Sequence, residues 1–209
     1  MGTNRHNTGK GFTLAELLVA LMITSIILTA VATLAFAMGS VKDSTDDTSS
    51  KQAQLRYATL RLNDLIRDCK LVCAAVGDDV AIWRADDNGD KKINACELVY
   101  IEAGASRNYI KLLESTSTSS SAISLSDINN GSAKATLVGG GYRRIEIVPA
   151  CSNVQFSFDA ASPSSKFMSI SFNVVENGAS CQRQISGNLR GWAGNLLNSG
   201  ATAMVNDDD

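Results

Sequence analysis

GFTLAELLVALMITSIILTAVATLAFAM, residues 11–38, is the stretch on which the reading of the whole chain turns. From Phe12 to Met38 it sets 27 residues in a row with one charge, Glu16. A helix of that length rises about 40 Å at ~1.5 Å per residue, enough to cross a bilayer. Secretory signal cores run only about 7–15 apolar residues, so the length predicts a retained helix. Arg5 and Lys10 precede the run without an acid, whereas Asp43, Asp46 and Asp47 follow it with Lys42. That asymmetry predicts a cytoplasmic N-terminus with the bulk of the chain on the far side of the membrane.

Glu16 is the anomaly in this run. A carboxylate near the middle of a bilayer costs roughly 2.5–3.5 kcal/mol, less near an interface, and intramembrane acids commonly mark a function. No Lys, Arg or His lies between Phe12 and Met38. A countercharge is therefore expected from another chain or from a new N-terminal amine made by proteolysis. The plainer alternative is an acid that snorkels to the interface.

Gly11 followed by Phe12-Thr13-Leu14-Ala15-Glu16 and an unbroken apolar helix resembles the prepilin cleavage signature of type IV pilins and type II secretion pseudopilins. The resemblance implies that a prepilin peptidase cuts between Gly11 and Phe12 on the cytoplasmic face, leaving Met1–Gly11 as a short basic leader. It implies N-methylation of Phe12, and pairing of Glu16, then the fifth residue, with the N-terminal amine of a neighbouring subunit. In a low-dielectric layer a paired charge is far less costly than an unpaired one, so Glu16 would set the register between subunits. Many members of the family carry a proline further along this helix; none stands between Phe12 and Met38.

The full chain of 209 residues has room for one ordinary domain beside a membrane segment. Its apolar residues are concentrated at the front, and the remainder is Ser-, Asn- and Gly-rich, of extracytoplasmic character. A net charge of −2 leaves no basic footprint for nucleic acid. The one histidine, His6, precedes the apolar run. Catalytic triads, Cys/His pairs and His-based zinc sites all need an imidazole in the folded part, so the composition argues against an enzyme.

The organisation expected is a leader over residues 1–11, a transmembrane and assembly helix over 12–38, an amphipathic continuation over 39–76 and a β-rich domain over 77–209. Ser40–Lys51 is rich in Asp, Ser and Thr, which predicts weak helix or a short joint. Leu55, Ala58, Leu62, Leu65, Cys69 and Val72 then fall at steps of 3, 4, 3, 4 and 3, an apolar stripe for packing on a sheet. Strands are predicted at Val80–Trp83, Leu98–Ile101, Tyr109–Leu113, Arg143–Val148, Val154–Phe158, Phe167–Val174 and Gln182–Leu189, with a Ser/Thr-rich loop at Ser115–Ser121. One long helix followed by antiparallel strands is an α+β fold, a helix packed on a sheet. The pilin resemblance implies the same.

Between the first two of these strands, Asp86, Asn88, Asp90, Asn94 and Glu97 take places 1, 3, 5, 9 and 12 of a calcium loop, with the Lys92 carbonyl at place 7. The spacing suits a hard, oxygen-seeking cation such as calcium. Two features depart from the EF-hand pattern: place 6 is Lys91 instead of glycine, and the flanks read as strands. A hairpin turn at Asn88-Gly89 is the competing reading. Five cysteines, Cys69, Cys73, Cys96, Cys151 and Cys181, all follow the apolar run. In an oxidising compartment they can form disulfides, and five admit fifteen ways of drawing two bonds. Cys151–Cys181 is the pairing first expected, since both border late strands, and either Cys69 or Cys73 can reach for Cys96. Zinc is disfavoured because no CxxC pair and no downstream histidine exist.

Two functions are thus in competition. The first is a structural subunit, a minor pilin or pseudopilin of J-type or W-type. Its partners would be other such subunits, the prepilin peptidase and the inner membrane, and it would assemble through its N-terminal helix into a type IV pilus or a type II secretion pseudopilus. The second is a secreted calcium-binding module whose ordinary signal peptide is cut after Ala37, within Ala35-Phe36-Ala37. The second leaves Glu16 and Gly11-Phe12-Thr13 unexplained.

Overall fold

A computed structural model of the chain describes residues 11–116, 121–148, 150–176, 178–191, 196–202 and 204–205. The chain divides into two compact units, Met1–Ser49 and Ser50–Asp209. Helix α1 spans Leu14–Asp68 and continues without a break through the polar stretch expected to be a weak joint.

In the first unit, Leu14–Ser40 is long and apolar enough to cross a membrane, with a mean hydropathy of 2.5. Its large side chains have no protein to pack on: Leu14 is 79% and Phe36 80% exposed. The hydroxyls within the run are satisfied by their own helix. Thr24 donates to the Ala20 carbonyl at 3.0 Å, Thr29 to Ser25 at 2.8 Å and Thr33 to Thr29 at 2.7 Å. Such back-bonding lets hydroxyl residues sit in hydrocarbon without stranded polar groups.

In the second unit, strands β1 (Leu71–Val76), β2 (Asp79–Trp83), β3 (Leu98–Glu102), β4 (Ile110–Ser115) and β5 (Tyr142–Val148) form one sheet in sequence order. Strands β6 (Ser152–Phe158), β7 (Phe167–Glu176) and β8 (Ala179–Asn188) form a second. Every pairing in both sheets is antiparallel. The two faces of the five-stranded sheet enter different cores. Val99 and Ile101 of β3 join Ala58, Leu62, Leu65 and Ile66 of α1 and Met168, Ile170 and Phe172 of β7. Leu98 and Tyr100 face the other way, toward Trp83, Leu113 and two short helices, α2 (Leu125–Asn129) and α3 (Ser132–Gly140). Burial on both faces explains why β2 and β3 read as continuous apolar runs instead of alternating ones. Each large side chain so buried contributes about 1.5–3 kcal/mol.

Ion pairs fasten the layers at their edges. Arg61 of α1 reaches Glu114 of β4 at 2.6 Å, and Arg143 of β5 joins the same carboxylate at 3.1 Å. Lys134 of α3 lies 2.5 Å from Asp79 of β2 and also pairs with Glu102 of β3.

The α+β arrangement and the seven expected strands are present, and three features differ from the sequence reading. The helix ends at Asp68, so Val72 belongs to strand β1 and the amphipathic continuation does not extend to residue 76. Leu71–Val76 has no polar residue, and an unbroken apolar run fits a helical stripe and a doubly buried strand equally well. Leu71 and Cys73 enter one core and Val72 the other, with a register shift between Val72 and Ala74. Helices α2 and α3 were not foreseen, although Ser124 caps α2 by accepting the Asp127 N–H at 3.1 Å, the pattern Ser-x-x-Asp announces. Ser115, assigned to a loop, closes β4, and residues 117–120 of that loop lie outside the described residues.

Candidate functional site

The N-terminus of α1 is organised by two residues of the sequence motif. Thr13 occupies the cap position and Glu16 the third helical position. The Thr13 N–H and Thr13 hydroxyl each donate to Glu16 Oε2 at 3.0 Å, and the Glu16 N–H donates to Thr13 Oγ1 at 3.3 Å. This reciprocal capping box satisfies donors the first turn would leave bare, and the carboxylate sits where the helix dipole favours negative charge. Glu16 thus has hydrogen-bond donors within its own helix, and both converge on one oxygen; they are neutral and supply no countercharge. The capping role of Thr13 is not part of the sequence reading, although Thr-x-x-Glu before an apolar run is the signal for it.

Next to the box, the small side chains of Ala15 and Ala20 leave a shallow depression of about 410 Å³, bordered by Phe12, Glu16, Val19 and Ile23. Phe12 is 83% exposed. Gly11 and Phe12 precede the helix without regular secondary structure, and residues 1–10 lie outside the described residues.

The second cluster is the connection between β2 and β3, residues 84–97. The Arg84 N–H donates to the Glu97 carbonyl at 3.0 Å, so the connection is closed at its base like a hairpin. It is not a two-residue turn. Asp86 Oδ1 accepts the Asp90 N–H at 3.1 Å and Oδ2 the Lys91 N–H at 2.9 Å. Asn88 Oδ1 accepts the same Asp90 N–H at 2.9 Å, and Asp90 Oδ1 accepts the Lys92 N–H at 2.9 Å. Lys91, where a calcium loop usually has glycine, takes φ 60° nonetheless, a left-handed conformation costing of order 1 kcal/mol for a residue with a Cβ. Asp87 is turned aside into an ion pair with Arg84.

Glu97 departs from the role its spacing suggested. It is fully buried, its Oε1 accepts the Asp87 N–H at 2.9 Å, and its Oε2 accepts the Trp83 indole N–H at 3.1 Å and the Asn94 N–H at 3.2 Å. It ties both ends of the loop to β2. Asn94 is also fully buried, yet neither Oδ1 nor Nδ2 of its amide has a hydrogen-bond partner. The amide lies close enough to Asp90 for a weak polar contact, short of good hydrogen-bond geometry, and this is the largest influence holding the Asp90 carboxyl below the usual carboxylate value, against the opposing effect of burial. Among the described residues no three His, Cys, Asp or Glu side chains converge at metal-ligand spacing. The side-chain oxygens that the turn gathers on its own backbone N–H groups belong to two carboxylates, Asp86 and Asp90, and one amide, Asn88.

The five cysteines are free thiols. Cys151 leads into β6 and Cys181 lies in β8, with β7 between them: Ser152 pairs with Asn173, and Cys181 with Val174. Two strand spacings amount to about 10 Å, beyond the roughly 4.4–6.8 Å that a disulfide spans between Cα atoms, so the expected Cys151–Cys181 pairing is corrected. Burial pushes the Cys69 thiol up to about 12 and the Cys151 thiol up to about 11, and Cys73 and Cys96 are raised for the same leading reason. As protonated thiols at neutral pH they are poor nucleophiles.

Residues 7–32 match the prokaryotic N-terminal methylation motif, the signature of type IV pilins and pseudopilins. The matched segment holds Gly11, Phe12, Thr13 and Glu16 and runs into the exposed apolar helix. That motif defines a structural class of proteins, not an enzymatic one. No curated protein and no solved structure matches the chain.

Proposed function

We propose that this chain is a structural subunit, a minor pilin or pseudopilin. It is cleaved between Gly11 and Phe12, methylated on Phe12, and assembled through its N-terminal helix into a type IV pilus or a type II secretion pseudopilus. Before assembly it is held in the inner membrane with its N-terminus cytoplasmic and residues beyond the apolar helix periplasmic. The observation that carries this reading is the methylation motif leading directly into a 27-residue apolar span with none of its surface buried. Such a surface must be covered by lipid or by other helices. Glu16 supports the same reading. Its capping bonds to Thr13 are neutral donors and do not balance its charge, which an N-terminal amine at Phe12 of an adjacent subunit would. The depression at Ala15 and Ala20 offers a neighbouring helix close approach beside that carboxylate.

The amphipathic half of α1 and the two-sheet unit beyond it, larger than a compact major subunit needs, support a minor role of J-type or W-type. The test is the mass of the N-terminal peptide of the protein taken from membranes. The expected result is a chain beginning at methylated Phe12. A chain beginning at Met38 in the soluble fraction would overturn the proposal in favour of a secreted module with an ordinary signal peptide.

A further inference from the structure

We propose that the Asp86–Asn94 connection is a calcium site, with ligands from the Asp86 and Asp90 carboxylates, the Asn88 and Asn94 amide oxygens and the Lys92 carbonyl, and with Glu97 as the strut that holds the loop in shape. The inference does not depend on the assembly reading. The acidic run alone would be an ordinary solvated turn. What distinguishes it is Asn94, whose side chain is fully buried at the base of this turn and makes no well-formed hydrogen bond at either end. A buried amide left unsatisfied costs about 1–3 kcal/mol, a cost that persists unless something of complementary charge occupies the space before it.

The loop supplies the matching set. Asp86 Oδ1 and Asn88 Oδ1 are held side by side by the shared Asp90 N–H, and Asp90 Oδ1 is turned inward by the Lys92 N–H. Each of these oxygens keeps a second lone pair for a cation. Five oxygens with two negative charges, completed by water, suit calcium, which accepts irregular cages of 6–8 oxygens; magnesium demands a tighter octahedron. Glu97 cannot be the bidentate ligand of an EF-hand, because the Trp83 and Asn94 N–H groups occupy Oε2 and the Asp87 N–H takes one lone pair of Oε1. The site should therefore be weaker than a sensor EF-hand, with Kd of about 10⁻⁴–10⁻³ M, as in extracellular modules.

The test uses the full chain in detergent micelles, stripped with chelator and titrated with calcium chloride by calorimetry, alongside thermal melts. One calcium per chain with a rise in Tm is expected, reduced roughly tenfold in affinity by Asp90→Asn, which keeps the shape of the side chain. Asn94→Asp gives a second readout: a buried carboxylate should lower Tm in chelator yet enlarge the calcium-dependent rise. This variant decides the matter if Asp90→Asn does not fold. Absence of heat and of any Tm shift up to about 10 mM calcium would overturn the proposal. So would tighter binding of magnesium, binding unchanged in Asp90→Asn, or a calcium-dependent rise in Asn94→Asp no larger than in the native chain.

Discussion

At the scale of single residues, Glu16 has two separable duties, and a pair of substitutions distinguishes them. Glu16→Gln keeps a carbonyl oxygen to accept the Thr13 bonds but removes the charge. It should be processed normally at Gly11–Phe12 and yet enter filaments at least about tenfold less well, since only the ion pair with a neighbouring amine is lost. Thr13→Ala removes the cap, at a cost of about 1 kcal/mol to the first turn, and leaves the charge in place. Its incorporation should remain close to normal. Quantifying the assembled fraction of each variant decides the point: if Glu16→Gln assembles normally and Thr13→Ala does not, Glu16 serves only its own helix. The motif residues and the place of Asn94 in its loop were legible in the sequence because their spacing is local; the burial of the Asn94 amide was not, because it depends on the closed core.

At the scale of elements, the clearest coupling is the clamp of Arg61 and Arg143 on Glu114, which joins α1, β4 and β5. Burial raises the Glu114 carboxyl, but hydrogen bonds and charge from the two arginines outweigh it and hold it below the ordinary 4.5. A carboxyl depressed on folding stabilises the fold above its unfolded value and loses that contribution as pH falls through the folded one. Glu114→Gln should therefore lower stability by about 1 kcal/mol at neutral pH, a modest figure because both arginines are partly solvated. The difference from the native chain should shrink as pH falls below 4.5 and vanish once pH passes below the lowered folded value. Thermal melts of both proteins across that range provide the check, and a difference that does not change with pH would refute the clamp. At this scale the strands were readable from β-branched and aromatic runs. The end of α1 was not, because Leu71–Val76 carries no polar residue to distinguish a helical from an extended period.

At the scale of the whole molecule, the two units answer to different solvents. Every residue of both hydrophobic cores lies beyond Ser50, beginning with Leu55 and Ala58 of α1. A chain beginning at Ser50 should be soluble and melt cooperatively, with a Tm within about 5 °C of the full chain in detergent. Circular dichroism melts test this, and aggregation or a broad, non-cooperative transition would show that the first unit is needed for the second to fold. Among its described residues the first unit buries no side chain, and its apolar groups are exposed along Leu14–Ser40. Its stability must come from intrahelical hydrogen bonds and from whatever covers it, lipid or helices of other subunits.

The sequence by itself determined the features that depend on neighbours a few residues apart: the apolar span, the Thr13–Glu16 cap, the strand runs and the Asp86–Asp90 turn. Helix periodicity, capping and turn chemistry act over three to five residues, and they survive in any tertiary setting. Only the tertiary structure decided that the five-stranded sheet is covered on both faces, that Glu97 is a strut under Trp83, and that β7 separates Cys151 from Cys181. Each of these depends on which strands become neighbours, and that is set by how both cores close at once, not by any local pattern.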